Sequence, residues 1–386
     1  MKIRLGDLSC KMYYAALAIV IVANILFVES TIEVLFSVDR GIWLEMCENI
    51  CWILLIFRSV ILEKYDYKEI LRLVFLLGLS VVSMILSGGS HLLLNSILFI
   101  IASKNIDLRK IVKTALFSNI FGVCFTFLLA VTGQIKTNAV RLIYDGTRTV
   151  TRFSMGFSQP NYLGAHLFII CLCIAFITFN KMSIKTVVLL VVLDVFVYMS
   201  CYSRTNCILI IAILLVSVLV NKGKFIRLND DEFIEHTLKA FPVIIFFIAM
   251  FCTVFYSNNL LGALNELMSN RLLYSHEYFN NYGFSILGQP VDFSEITTRA
   301  YTIDCAYTYL AIRFGVIWAF FFPCMYTQIC KKAIRVNRLD IIVLVVTIAL
   351  WGISETYYFR IQYNFSLILM GIFLFTNGSQ LIRRTN

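Results

Sequence analysis

The sequence predicts an all-α, polytopic integral membrane protein, and three observations carry that reading. Of its 386 residues, 60% are hydrophobic and only 15% are charged. Ordinary soluble chains are near half apolar and a quarter charged, so a soluble domain of this length has nowhere to hide that surface. The apolar residues fall in runs long enough to cross a bilayer, and mean hydropathy is +0.83. Alternating strand patterns are absent, which leaves helices to satisfy the backbone inside lipid.

A hydrocarbon core about 30 Å thick takes about 20 helical residues per crossing. On that ruler about twelve helices are expected. The first, 12–29, follows Lys2, Arg4 and Lys11 and has no small-residue cleavage site after it, so it reads as an uncleaved first helix. The second, 42–62, carries Glu45 and Glu48 near its outer end and Arg58 near its inner end, where the long side chain is expected to snorkel. Helices at 71–87, 90–103 and 111–132 come next. Gln159-Pro160-Asn161 opens the helix at 161–180 with proline at its start, and His166 is expected to hydrogen-bond a neighbouring helix. Helices 184–202 and 205–220 are joined by the short CYSRTN turn, which pins Arg204 at the interface. Helices 239–256 and 303–328 flank the longest polar stretch, and 340–355 and 362–378 close the series. The third, fourth, eighth and last are the shortest.

The basic residues orient this series. With the N-terminus inside, about two thirds of the 33 Lys and Arg fall in cytoplasmic segments such as EKYDYKEILR and CKKAIRVNRLD. Both termini are then inside. Lysine dominates the inner segments, whereas Lys136 is alone among lysines outside, beside Arg40, Arg141, Arg148, Arg152, Arg204, Arg271, Arg299 and Arg360. Arginine's planar fork grips phosphate and carboxylate with two prongs, so an external set of arginines points to a phosphate-bearing substrate, with acidic lipid head groups as the alternative. The net charge of +10 is spread over short loops rather than one stripe, which is topology and not nucleic-acid binding.

A single membrane domain over 1–386 is expected, with a cationic external loop at 133–160 and a large external loop at 257–303. In the second loop Leu260, Leu264, Leu267 and Met268 recur at helical spacing. They suggest a helix on the membrane surface with Arg271 in its last turn and YFNNYGF ending it. Asp304 sits at the outer end of the 303–328 helix and shares a face with Tyr307, Thr308 and Ala311. Arg313 falls on the opposite side, roughly 13 Å deeper, where an ion pair with Asp194 of the seventh helix is expected. The 12 cysteines show no CxxC pair and no histidine at ligand spacing. They read as small hydrophobes, with no metal site and no cofactor.

Four stretches carry a resemblance. RFSMGFSQPNYLGAHLF (Arg152–Phe168), YSRTNCILIIAIL (Tyr202–Leu214), NRLLYSHEYFNNYGFSILGQ (Asn270–Gln289) and IDCAYTYLAIRFGVI (Ile303–Ile317) resemble, in order and spacing, the motifs of O-antigen and capsular polysaccharide polymerases of the Wzy type, which are related to O-antigen ligases. The resemblance implies a GT-C-like membrane architecture in a bacterial cytoplasmic (inner) membrane. It implies metal-independent transfer between undecaprenyl-diphosphate-linked repeat units on the extracytoplasmic side. A flippase and a chain-length regulator of the same pathway are the implied partners. Arg204 and Arg271 are then expected on the diphosphate, and Asp304, where ligases carry histidine, as the base. Glu355 and His276 are the next candidates for proton transfer. Arg141, Arg148, Arg152, Asn161, Arg299 and Arg360 are expected to bind substrate. The aromatics of YFNNYGF and TYYFRIQYN are expected either at the membrane interface or on sugar faces. A flippase for lipid-linked oligosaccharide and an O-antigen ligase remain the alternatives.

Overall fold

The computed structural model describes residues 5–32, 39–144, 148–221, 232–293 and 302–376. The helices are α1 (Leu5–Ala23), α2 (Arg40–Phe57), α3 (Tyr67–Leu86), α4 (Leu92–Ile101) and α5 (Leu108–Val131). A β-hairpin follows, β1 (Ala139–Tyr144) and β2 (Arg148–Phe153), then α6 (Pro160–Ile177), α7 (Ile184–Cys201), α8 (Arg204–Asn221) and α9 (Glu232–Val254). The series closes with α10 (Asn258–Leu267), α11 (Arg271–Tyr282), α12 (Ala306–Tyr309), α13 (Val316–Arg335), α14 (Leu339–Trp351) and α15 (Ile368–Thr376). Short polar side chains start several of them. Asp66 and Glu69 form a reciprocal capping box on α3, and Asp39, Asp107 and Ser183 accept from the first-turn amides of α2, α5 and α7. Each cap satisfies amides that the helix itself leaves open.

Among the described residues, seven helices are long and apolar enough to cross a membrane. The chain is therefore a helical membrane protein. Three further apolar helices, near Leu92–Ile101, Leu339–Trp351 and Phe365–Thr376, are shorter. Two of the segments expected to be short are full length, because α3 has 20 residues and α8 has 18.

The chain divides into two compact units, each assembled from two stretches of sequence. The first comprises Met1–Glu63 and Ile106–Phe225. In it α1 packs on α2 and α5, α5 on α6, and α6 on α7 and α8. The loop at 133–160 is not all irregular as the all-α reading implies. β1 and β2 pair antiparallel, with Ala139 opposite Phe153 and Tyr144 opposite Arg148. The signal was present in the β-branched TVT of β2 and in Asp145-Gly146, a favoured hairpin turn pair. Arg58, expected to snorkel, is fully buried instead. Its Nε donates to the Ser9 carbonyl at 3.1 Å, its Nη2 meets Glu63 Oε1 at 3.0 Å, and Tyr13 lies under the guanidinium.

The second unit comprises Lys64–Asn105 and Ile226–Asn386. Here α13 packs against α9, α14 and α15, while α4 and α3 pack on α15. Its core is aromatic: Trp318, Phe322, Tyr326, Tyr358 and Phe359 are wholly buried. That burial corrects the reading of TYYFRIQYN, whose Tyr357, Tyr358, Phe359 and Tyr363 are core residues rather than an interfacial belt.

The helix expected at 303–328 is broken. α12 has four residues, a π-helical turn covers Leu310–Phe314, and α13 begins only after Gly315. The segment after α11 fills the break. Ser285 N donates to Ala311 O, Gln289 N to Arg313 O, and Val316 N to Ser285 O, at 3.1, 3.1 and 2.8 Å. Gly315 permits this approach, because its φ is +107° and a Cβ there would stand 2.2 Å from the Ile286 carbonyl oxygen. Gly315→Ala should therefore lower the melting temperature of the purified protein by several degrees. Gly78→Ala, at a helical site with nothing within 4 Å, should leave it unchanged or slightly raised; fluorescence melting in detergent compares the two.

Candidate functional site

The second unit gathers Arg271, Asp304 and Glu355 from three separate stretches of chain. α10 and α11 are not one helix, as the leucine spacing suggested. Ser269 and Asn270 take left-handed φ values of 58° and 66° and turn the chain between them. Asn265 stitches the turn, donating to Asn270 Oδ1 at 2.9 Å and accepting from Leu273 N at 3.0 Å. Arg271 thus opens α11 rather than closing α10, and YFNNY lies within α11.

From that position Arg271 reaches two carboxylates. Its Nε lies 3.1 Å from Asp304 Oδ2, and its Nη1 lies 3.1 Å from Glu355 Oε1 while also donating to the Ser354 carbonyl. Burial works against the guanidinium charge, but Glu355 and Asp304 more than offset it and hold the pKa above the ordinary arginine value. The two acids differ in access. The Asp304 side chain is 32% exposed, against 7% for Glu355. Glu355 anchors the arginine, and Asp304, steadied by Thr302 Oγ1 at 3.3 Å, presents a carboxylate outward. A carboxylate so placed can accept a proton from a hydroxyl within hydrogen-bond reach.

His276 lies on α11, but both ring nitrogens are committed. Nδ1 faces the Thr253 carbonyl at 2.8 Å, so it carries the proton, and Nε2 accepts from Asn280 at 2.9 Å. It ties α11 to α9.

Arg360 contacts aromatic faces. Its guanidinium lies 5.8 Å from the Tyr309 ring centroid, 6.0 Å from that of Tyr357 and 5.8 Å from that of Phe359. Arg313 approaches the same Tyr309 at 5.7 Å, as well as Phe293 and Phe314, and donates to the Tyr309 hydroxyl at 2.6 Å. The two guanidinium carbons are therefore no more than about 12 Å apart, since each lies within 5.8 Å of one centroid. The Nε of each has no hydrogen-bond partner among the described residues. These aromatic partners replace the Asp194 pair expected for Arg313. Asp194 takes the Cys207 thiol on α8.

In the first unit Arg152, at the end of β2, meets Asn161 in the first turn of α6. Its Nη2 donates to Asn161 Oδ1, and its Nε donates to the Cys201 carbonyl at 2.5 Å. Arg204 opens α8 two residues after Tyr202, whose φ of 54° makes the short turn. Its guanidinium stacks on the Tyr202 ring at 4.9 Å. Arg141 and Arg148 lie on the hairpin strands, opposite Thr151 and Tyr144. Arg299 lies outside the described residues.

One polar cluster in this unit was missed. Glu29, in the π-helical turn after α1, is fully buried and pairs with His166 Nε2. Asn24 donates to the other carboxylate oxygen at 2.8 Å, and His166 Nδ1 meets Asn119 Oδ1 at 2.7 Å. Asn119 Nδ2 is spent on the Ala115 carbonyl, so its oxygen faces the imidazole. His166 does hydrogen-bond neighbouring elements, as expected. The available signal for Glu29 was an acid inside an apolar run, which calls for a buried partner.

Comparison with protein-family models, with curated proteins and with solved structures finds no match. Fold and site thus define a helical membrane protein whose second unit carries a carboxylate pair organised by one arginine.

Removing one member of a buried hydrogen-bonded pair strands the other, at about 1–3 kcal/mol or more, whereas replacing both by apolar residues is far milder. Glu29→Leu and His166→Leu should each sharply reduce folded yield by size-exclusion chromatography. The double variant should recover much of it.

Proposed function

We propose that the protein is a polysaccharide polymerase of the bacterial cytoplasmic membrane. It joins undecaprenyl-diphosphate-linked oligosaccharide repeat units on the extracytoplasmic side, with both termini inside. The observation that carries this reading is the bridge from Arg271 to Asp304 and Glu355, which leaves one carboxylate open beside a fixed guanidinium. The resemblance of the four motifs and the external arginines support it.

In the reaction, a hydroxyl oxygen of the acceptor sugar attacks the anomeric carbon of the donor chain. The bond from that carbon to the diphosphate oxygen breaks, and the lipid diphosphate leaves with the electron pair. The hydroxyl proton passes to Asp304. Arg271 holds Asp304 in place and is itself anchored by Glu355. With two carboxylates on one guanidinium, the trio has no positive charge to spare. The proposal therefore gives Arg271 a positioning role and assigns the departing diphosphate in this unit to Arg360 and Arg313. Fixed guanidinium groups stabilise charge that develops as the bond breaks. Arg204, Arg152 and Asn161 of the first unit are proposed contacts for the phosphate of lipid-linked substrate, with Arg141 and Arg148 attracting it.

Deleting the gene should leave single repeat units on the surface, sized by gel electrophoresis of the glycan. No glycan outside at all would instead mean transport. Asp304→Asn should reproduce the single-unit pattern at normal protein level, with turnover reduced about a hundredfold or more. Arg271→Lys should do the same, because a point charge cannot bridge both acids as the fork does. Long chains retained in Asp304→Asn would remove it as the base.

A further inference from the structure

At the far end of the second unit's helices lies a cationic groove. Arg72 of α3 faces Lys331, Lys332 and Arg335 of α13, and Phe373 and Leu374 of α15 supply an apolar wall, around a cavity of about 620 Å³. Arg72 is held at the rim by donating from Nη1 to the Leu374 carbonyl at 2.6 Å. Among the described residues, no acid lines the cavity. Glu235 on α9, an acid that feels Arg335, is ion-paired with Lys239, and Glu69, a turn before Arg72, is ion-paired with Lys104.

The groove sits where α13 ends. That helix has 20 residues, so it is about 30 Å long, roughly a bilayer core. Glu355 lies beyond the opposite end of the adjacent α14. The groove and the carboxylate site therefore belong to opposite ends of the unit, and the basic-residue bias puts the groove on the cytoplasmic side. Cations over an apolar wall, at the end of α13 and beside the candidate membrane-crossing helix α3, suit an anionic headgroup whose acyl chains run down the helix surface. The residues after Thr376, NGSQLIRRTN, carry Arg383 and Arg384 and no acidic side chain, so charge disfavours them as the occupant.

We infer that this groove binds the phosphate of an anionic glycerophospholipid. The site is independent of the glycosyl-transfer reading. The lysines and arginines attract the phosphate, and Phe373 and Leu374 receive the first acyl carbons.

The full chain, purified in a neutral detergent, is titrated with dioleoylphosphatidylglycerol, with dioleoylphosphatidylcholine and with glycerol 1-phosphate, and its melting temperature is followed. Saturable stabilisation by phosphatidylglycerol alone is expected, weakening at high salt. Lys331→Gln/Arg335→Gln should weaken that binding on the order of thirtyfold, since each cation beside an anionic surface is worth about 1 kcal/mol. Lys331→Arg/Lys332→Arg should keep it. Equal stabilisation of the wild type by both lipids would overturn the inference. Saturation by glycerol 1-phosphate at the same concentration would too, by making this a site for free phosphate. Undiminished phosphatidylglycerol binding in the glutamine double variant, folded in the same neutral detergent, would also sink it.

Discussion

Buried backbone polar groups have no water to turn to, and the break between α12 and α13 is where this constraint shapes the second unit. A π-helical turn and a glycine leave carbonyls at Ala311 and Arg313 and an amide at Val316 outside the regular ladder. The segment Ser285–Gln289 supplies their partners. Irregular backbone is tolerated at such depth only where protein covers it. The covering segment follows directly from α11, so satisfying the break also fixes where α11 can lie, and with it Arg271. The same break turns Arg313 toward Tyr309 and Phe293.

Arg271 then closes the arrangement electrostatically. A guanidinium taken from water needs partners that return the lost solvation, and two carboxylates with a backbone carbonyl do so. The cost is that its charge is committed. A phosphate arriving at Arg271 would have to compete with Asp304 and Glu355, both already in place. Arg360 and Arg313 present the contrasting case, since ring faces attract a cation without neutralising it. They keep their positive charge available to an anion, which is why the leaving group is proposed to meet them rather than Arg271.

How much of this was legible in the chain depends on distance along it. The helical membrane class followed from composition. The helix entries at Pro160 and Arg204, and the candidacies of Arg271, Asp304 and Glu355, followed from residue type and position. The structure brings those last three together, and likewise Arg152 with Asn161. What sequence did not reveal were contacts set by packing. Glu29 and His166 are far apart in the chain, and nothing local to either names the other. The break at Gly315 hides inside an apolar run, because a glycine there reads as a tolerated helix residue until another backbone is seen against it. Arg58 has the sequence context of a snorkelling residue, and only the placement of Ser9 and Glu63 makes burial affordable. The hairpin was a local feature overlooked: the β-branched Thr149, Val150 and Thr151 of β2 outweigh the helical character of the rest of the chain.

The second unit also sorts its cations by chemistry. The described basic residues near the carboxylate end are arginines, bridged or stacked: Arg271 on two acids, Arg313 and Arg360 on rings. The groove at the other end mixes Lys331 and Lys332 with Arg72 and Arg335. An ammonium is strongly hydrated and resists burial, whereas the guanidinium is weakly hydrated and presents a flat face that stacks. Cations that must sit among Tyr309, Phe359 and Phe314 in the interior are therefore arginines. Cations that meet water and a mobile headgroup can be either. Lysine and arginine therefore part in this unit for a packing reason: the arginine end is where charge is held in protein, and the lysine end is where it is held in solvent.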